Sequence, residues 1–147
     1  LPDIDFNIRC GNTLVGYATE KELHKDLVES DMFAQQEFQE KIENEMELVA
    51  QTFKRFRGMQ LTQNVDDLQE FKETKHELNT RLAKLNNTLN HKMYQSITAG
   101  GQSYESWLTS HQPFHWLAEF YQIIKGNGGF DVVSFPFLGQ HLFRQIG

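Results

Sequence analysis

Apolar residues recur along the middle of the chain at helical spacing. Phe38, Ile42, Met46, Val49, Phe53 and Phe56 follow one another at intervals of 4, 4, 3, 4 and 3. That is a single stripe on a helix running from about Met32 to Arg57, with Gly58 as its stop. A polar connection follows, in which Asn64 or Asp66 can cap the next helix. Leu68, Phe71, Leu78, Leu82, Leu85, Leu89 and Met93 form a second stripe, with Lys75 in the slot where an apolar residue would keep the spacing. No Gly or Pro interrupts residues 65–97. Two long helices joined by a short loop pack antiparallel and bury stripe against stripe, so the prediction is a hairpin of about 35–57 against 65–96.

The flanks have different patterns. Ile4, Phe6, Ile8 and Cys10 alternate with polar residues, which predicts a half-buried strand over 4–10 ended by Gly11-Asn12. Thr19 and Glu22 form a capping-box pair, so a short helix follows Thr19 and ends near Ser30. After the second stripe, Ala99-Gly100-Gly101-Gln102 breaks the chain, and Ser103 is placed to cap a short helical turn holding Trp107. Pro113 suits the first turn of a further helix, and Phe114, Trp116, Leu117, Phe120, Tyr121, Ile123 and Ile124 make that helix apolar around much of its girth. Gly126-Asn127-Gly128-Gly129 reads as a turn, and Phe130-Asp131-Val132-Val133 as a buried strand. Two short strands separated by a long, mainly helical stretch predict one α/β sheet with a helical insertion in its crossover.

Composition narrows the class. The chain has 147 residues, enough for one domain, and 39% of them are hydrophobic. A net charge of −6 argues against this chain alone gripping a phosphate backbone, and Lys54-Arg55-Phe56-Arg57 reads as a solvated helix end. No apolar run approaches the ~20 residues that cross a bilayer, so no membrane partner is expected. Cys10 is the single cysteine and leaves no internal disulfide to form, which suggests a reducing, cytoplasmic setting. The opening Leu1-Pro2-Asp3-Ile4-Asp5-Phe6 reads as the interior of a longer protein.

Candidate chemistry concentrates near the end. His111 and His115 have the spacing of helical metal ligands, but Pro113 lies between them and no Cys, Asp or further His is close in sequence. Gly126–Gly129 is glycine-rich but precedes a predicted strand, whereas a phosphate-cradling loop follows a strand and opens a helix. Ser134-Phe135-Pro136-Phe137 is more suggestive. A polar oxygen, a proline carbonyl and an aromatic ring at the carboxyl end of a strand can hold an exocyclic amine and stack on a base.

Two blocks, "LPDIDFNIRCGNTLVG" at the start and "PFHWLAEFYQIIKGNGGFDVV" from Pro113 onward, resemble the large restriction-modification (type IIG-like) DNA adenine-N6 methyltransferases. In that family a strand of the pattern IDFNIRxGNSLVG precedes a long helical insertion. A PFHWxxEFPEIF-like helix and then GGFDVVIGNPPY follow. The resemblance implies methyl transfer from S-adenosylmethionine to adenine in DNA. It also implies a mainly α chain, whose long antiparallel hairpin is inserted between short strands of a partial Rossmann-like sheet. The divisions are core strand and loop at 1–18, helical insertion at 19–100, and core helix, strand and motif loop at 101–147. Ser134, Pro136 and Phe137 fall on the first, third and fourth places of the base-holding motif. Phe135 stands in the second, and two residues that separate strand from motif in the family are missing. Asn12 falls at the strand end that lies near the cofactor's adenosine. The glycine-rich cofactor loop and the target-recognition domain would lie outside this chain. By itself the chain is therefore expected to bind no cofactor and to be inactive, with S-adenosylmethionine and DNA as ligands of the parent. The competing reading is a non-catalytic hairpin module for interaction or dimerisation, with self-association through the helices or an exposed sheet edge.

Overall fold

The computed structural model describes residues 6, 9–27, 32–62, 68–97 and 101–127. Its helices, in chain order, are α1 (Glu20–Leu27), α2 (Met32–Thr62), α3 (Leu68–Ile97), α4 (Tyr104–His111), α5 (Trp116–Glu119) and α6 (Tyr121–Asn127). The α2–α3 pair is the predicted hairpin and the dominant packing of the molecule. Ile42, Met46, Val49 and Phe56 of α2 are buried against Leu78, Leu82, Leu85 and Leu89 of α3, with Phe38, Phe53, Phe71 and Met93 packed along the edges. Helices of 31 and 30 residues owe most of their stability to that shared face. Charges rim the seam. Arg55 bonds Glu70 at 2.8 Å, and Lys84 bonds Glu45.

Two details depart from the sequence pattern. Gly58 does not end α2, which continues to Thr62. Gly58 is exposed with open space around it, so a glycine there weakens the helix without breaking it. The seam slot assigned to Lys75 belongs to its neighbour. Thr74 is buried between Phe71 and Leu78, completing spacings of 3 and 4, and its hydroxyl has no partner.

Short helices pack around the hairpin's open end. In α1 the capping box forms as expected. The Glu22 amide donates to Thr19 Oγ1 (3.3 Å), while Glu22 Oε2 accepts from the amides of Thr19 (3.2 Å) and Ala18 (2.8 Å). Ser103 caps α4 by accepting from the Ser106 amide at 3.3 Å. Helix α4 lies on α3 through aromatic rings. His91 stacks on Tyr104, and Trp107 is buried beside Tyr94.

The α/β sheet is not found. About 81% of the described residues are helical and none lies in a strand, so the partial Rossmann-like sheet is corrected to an all-helical arrangement. Phe6, Arg9 and Cys10, the described members of the predicted strand over 4–10, have turn or irregular backbone. Phe6 meets α2 edge-on, its ring 4.9 Å from Phe56 and 6.1 Å from Phe53. Among the described residues of that stretch, Phe6 is an aromatic anchor packed on the hairpin and Cys10 is exposed. The strand predicted at 130–133 lies outside the described residues. No described helix is long and apolar enough to cross a membrane.

Candidate functional site

The segments 9–18 and 112–121 meet, although the whole hairpin separates them in sequence. Helix α4 has to end at Gln112, because a residue before proline disfavours the helical region. Gln112 takes left-handed angles (φ 44°, ψ 57°) and caps α4 through its amide to the Leu108 carbonyl. The turn aims the Gln112 carbonyl at Asn12, whose amide donates to it at 2.7 Å. The Phe114 amide then donates to the Val15 carbonyl at 2.7 Å, and the Leu117 amide to the Tyr17 carbonyl at 3.0 Å. Asn12 and Pro113 form a single parallel β-bridge. Pro113 lacks an N–H, and the pairing draws on its neighbours instead. The helix expected to start at Pro113 therefore begins later, at Trp116. It also breaks at Phe120 into α5 and α6, with no Gly or Pro at the break.

Gly16 lets the two backbones approach. At its φ of +147° a Cβ would lie 2.0 Å from the Phe114 carbonyl oxygen, so only glycine fits. The Trp116 indole N–H reaches back to the Thr13 carbonyl at 3.3 Å.

His115 is the centre of this junction. It is fully buried, and its ring stacks on Tyr17 at 5.3 Å. Its Nδ1 accepts the Tyr17 amide (3.0 Å), which places its proton on Nε2, where Asn90 Oδ1 of α3 accepts it (2.8 Å). Burial lowers its pKa to about 4, so the imidazole is neutral at neutral pH. The Tyr17 hydroxyl donates to Asp26 Oδ2 (2.9 Å), which also accepts from Ser96 of α3 (3.1 Å). Burial first, and then the Asp26 carboxylate, raise the Tyr17 pKa. On the other flank Arg9 Nε lies 3.0 Å from Glu119 Oε2 in an ion pair not aligned as a hydrogen bond. Glu119 Oε1 accepts from Asn86 Nδ2 of α3 (2.7 Å). Asn86 and Asn90 of α3 thus hold Glu119 and His115 of the second segment, and Ser96 reaches Tyr17 of the first only through Asp26.

The arrangement is a clamp. Both nitrogens of His115 are committed, so it is not poised as a base, and Glu119 is held by Arg9 and Asn86. His111 serves a separate network, its Nδ1 within reach of Ser110 Oγ and the Trp107 carbonyl. No group of three metal-binding side chains occurs among the described residues. An open groove on the hairpin, lined by Glu45, Lys72, Glu73, His76, Glu77 and Arg81 among others, includes no junction residue.

Of the residues proposed from the sequence, Asn12 sits in the junction. It is exposed, and its Oδ1 accepts the Leu14 amide at 3.1 Å, closing a local turn. Ser134, Pro136 and Phe137 lie outside the described residues. Sequence reasoning weighs His115 only as a partner of His111 and misses Gly16, Tyr17, Asn86, Asn90 and Glu119. Asn86 and Asn90, four apart in a helix interior, are a usable signal, because asparagine there is unfavourable unless its side chain has work to do. No family model, no curated protein and no solved structure matches the chain.

Proposed function

We propose that the chain is part of an S-adenosylmethionine-dependent DNA adenine-N6 methyltransferase of a restriction-modification system and is catalytically silent by itself. One observation supports this reading beyond the sequence resemblance. The described parts of the two blocks that carry the resemblance meet at the junction, through Asn12, Val15, Pro113 and Phe114, with the hairpin looped out between them. An insertion anchored in this way can vary in length and sequence without parting the segments on either side of it.

S-adenosylmethionine and DNA are then ligands of the parent protein. Asn12 is assigned to the cofactor's adenosine, and Ser134, Pro136 and Phe137 to the extruded adenine. The test is methyl transfer from isotopically labelled S-adenosylmethionine to duplex DNA by the full-length parent. Label recovered as N6-methyladenine is the expected result. None recovered, with folding and cofactor binding verified, overturns the reading. The isolated chain is expected to give no calorimetric signal with S-adenosylmethionine, because Asn12 alone supplies too few contacts. Micromolar affinity would contradict that assignment of the cofactor site.

A second reading, a non-catalytic module that dimerises, draws on exposed apolar side chains at both ends of the hairpin. Leu61 and Leu68 are exposed at the closed end, and Met32, Phe33 and Ile97 at the open end. Sedimentation equilibrium separates the two readings: a tight dimer that dissociates on Phe33→Ser or Leu61→Ser replacement favours the module.

A further inference from the structure

We infer that His115 is a positioning residue through which the hairpin sets the conformation of the turn carrying Asn12. Residues 12–17 contain no helix, and their internal bonds are short-range: Val15 amide to Asn12 carbonyl (3.0 Å) and Leu14 amide to Asn12 Oδ1. Gly16, with its positive φ, leaves the peptide soft just before Tyr17. A turn built this way has several accessible shapes, and outside contacts select one. Three of those contacts are backbone bonds to the 112–117 segment, and a fourth is the Trp116 indole N–H on the Thr13 carbonyl. A further contact is the Tyr17 amide donated to His115 Nδ1.

The bond to His115 differs in kind, because its acceptor is a side chain held from the far side. With Nε2–H bound to Asn90 Oδ1, the ring has one tautomer and one orientation, and Nδ1 is aimed at Tyr17. Asn90 lies in α3, one turn beyond Asn86, whose amide holds Glu119. The same helix face therefore holds the 112–121 segment at two points and reaches Tyr17 and Arg9 of the other segment through them. The hairpin is thus coupled to the turn through directional hydrogen bonds and not only through apolar contact, which tolerates sliding.

This reading bears on the cofactor only if the methyltransferase proposal is right, and the experiment separates the two. In the 147-residue chain, amide hydrogen exchange is compared for wild type, His115→Phe, Asn90→Leu and Asn90→Asp. His115→Phe keeps an aromatic ring but no nitrogens. Asn90→Leu leaves the imidazole in place but removes its anchor, and serves if His115→Phe does not fold. Asn90→Asp keeps the acceptor. The expected result is at least tenfold faster exchange at Tyr17 in the first two variants. Leu78, Leu82 and Leu85 should be unchanged, and Asn90→Asp should behave as wild type. Equal acceleration at every amide, or none at Tyr17, overturns the inference. In the full-length parent, Asn90→Leu is expected to raise KM for S-adenosylmethionine several-fold more than it lowers kcat. If exchange at Tyr17 responds and KM does not, the positioning role stands and the assignment of Asn12 to the cofactor fails.

Discussion

The hairpin and the junction solve the problem of holding chain segments together in opposite ways. The hairpin seam is mainly apolar and repetitive. Leucines at 78, 82, 85 and 89 face Ile42, Met46, Val49 and Phe56, and any one contact is replaceable by a similar one. The junction is short and polar at its centre, and each of its bonds has a single possible donor and acceptor. An apolar face supplies stability over length, whereas buried hydrogen bonds supply a particular geometry and leave costly unpaired groups when one partner is lost. The two regions should therefore fail differently when perturbed.

The largest effect belongs to the seam. Replacing Leu82 with Asp puts an unpaired carboxylate in the apolar interface and is expected to cost several kcal/mol, on the order of 3–5. Thermal unfolding should show a large drop in Tm with helicity lost cooperatively. An unchanged Tm would mean that α2 and α3 are not held by this face.

Acidification tests the junction instead. His115 has a folded-state pKa of about 4, below its unfolded value near 6.5. Below pH 6.5 the unfolded chain takes up a proton that the folded chain refuses, so stability falls as pH falls, down to about pH 4. The shift corresponds to a loss of about 3 kcal/mol across that window, and none of it appears above pH 6.5. Denaturant titrations at a series of pH values measure this. The His115→Phe variant should lack that share of the slope, since it has no imidazole to titrate. Identical slopes in the two proteins would mean that the imidazole is not buried as described.

These cases show why one region is legible in the sequence and the other is not. A seam of two amphipathic helices writes itself at every third or fourth position, so Ile42, Val49, Leu78 and Leu85 can be assigned without coordinates. One slot misleads: the spacing points to Lys75 as the gap, while Thr74 lies in the seam. The junction depends on residues about a hundred positions apart. No local period links Tyr17 to His115, and the Asn12–Pro113 bridge is one residue long, too short to carry a strand pattern. The alternation at Ile4, Phe6, Ile8 and Cys10 invites a strand and hence a sheet. The described part of that stretch instead offers a single buried ring, Phe6, and an exposed Cys10. The capping residues Thr19 and Ser103 are legible because their signal is local, a side-chain oxygen three residues before the amide it accepts.

Gly16→Ala tests the close approach at the junction. Its φ of +147° strains any side chain, and the new Cβ would overlap the Phe114 carbonyl oxygen at 2.0 Å. The expected cost is about 1–3 kcal/mol. Unlike Leu82→Asp, it should accelerate exchange first at the Phe114 and Tyr17 amides and spare the seam. If the seam amides loosened equally, the two regions would be one cooperative unit and the contrast between them would be wrong.

The smallest expected change has the opposite sign. Gly58 lies inside α2, where the sequence pattern puts the helix end, and a methyl group added there would meet no atom within 4 Å outside its own helical neighbourhood. Alanine relieves the backbone entropy that glycine costs a helix and meets no obstruction, so Gly58→Ala should stabilise the protein by about 1 kcal/mol. The gain requires that α2 continues past Arg57. Were the helix to stop at Gly58 with that residue as a left-handed cap, alanine would destabilise instead, because the cap conformation is strained for any residue with a Cβ. A chemical-denaturation midpoint that rises with unchanged slope supports the long helix, and one that falls returns the boundary to Gly58. The same substitution should leave exchange at Tyr17 untouched, since its effect stays within the hairpin's outer turns and does not reach the residues of α3 that grip the junction.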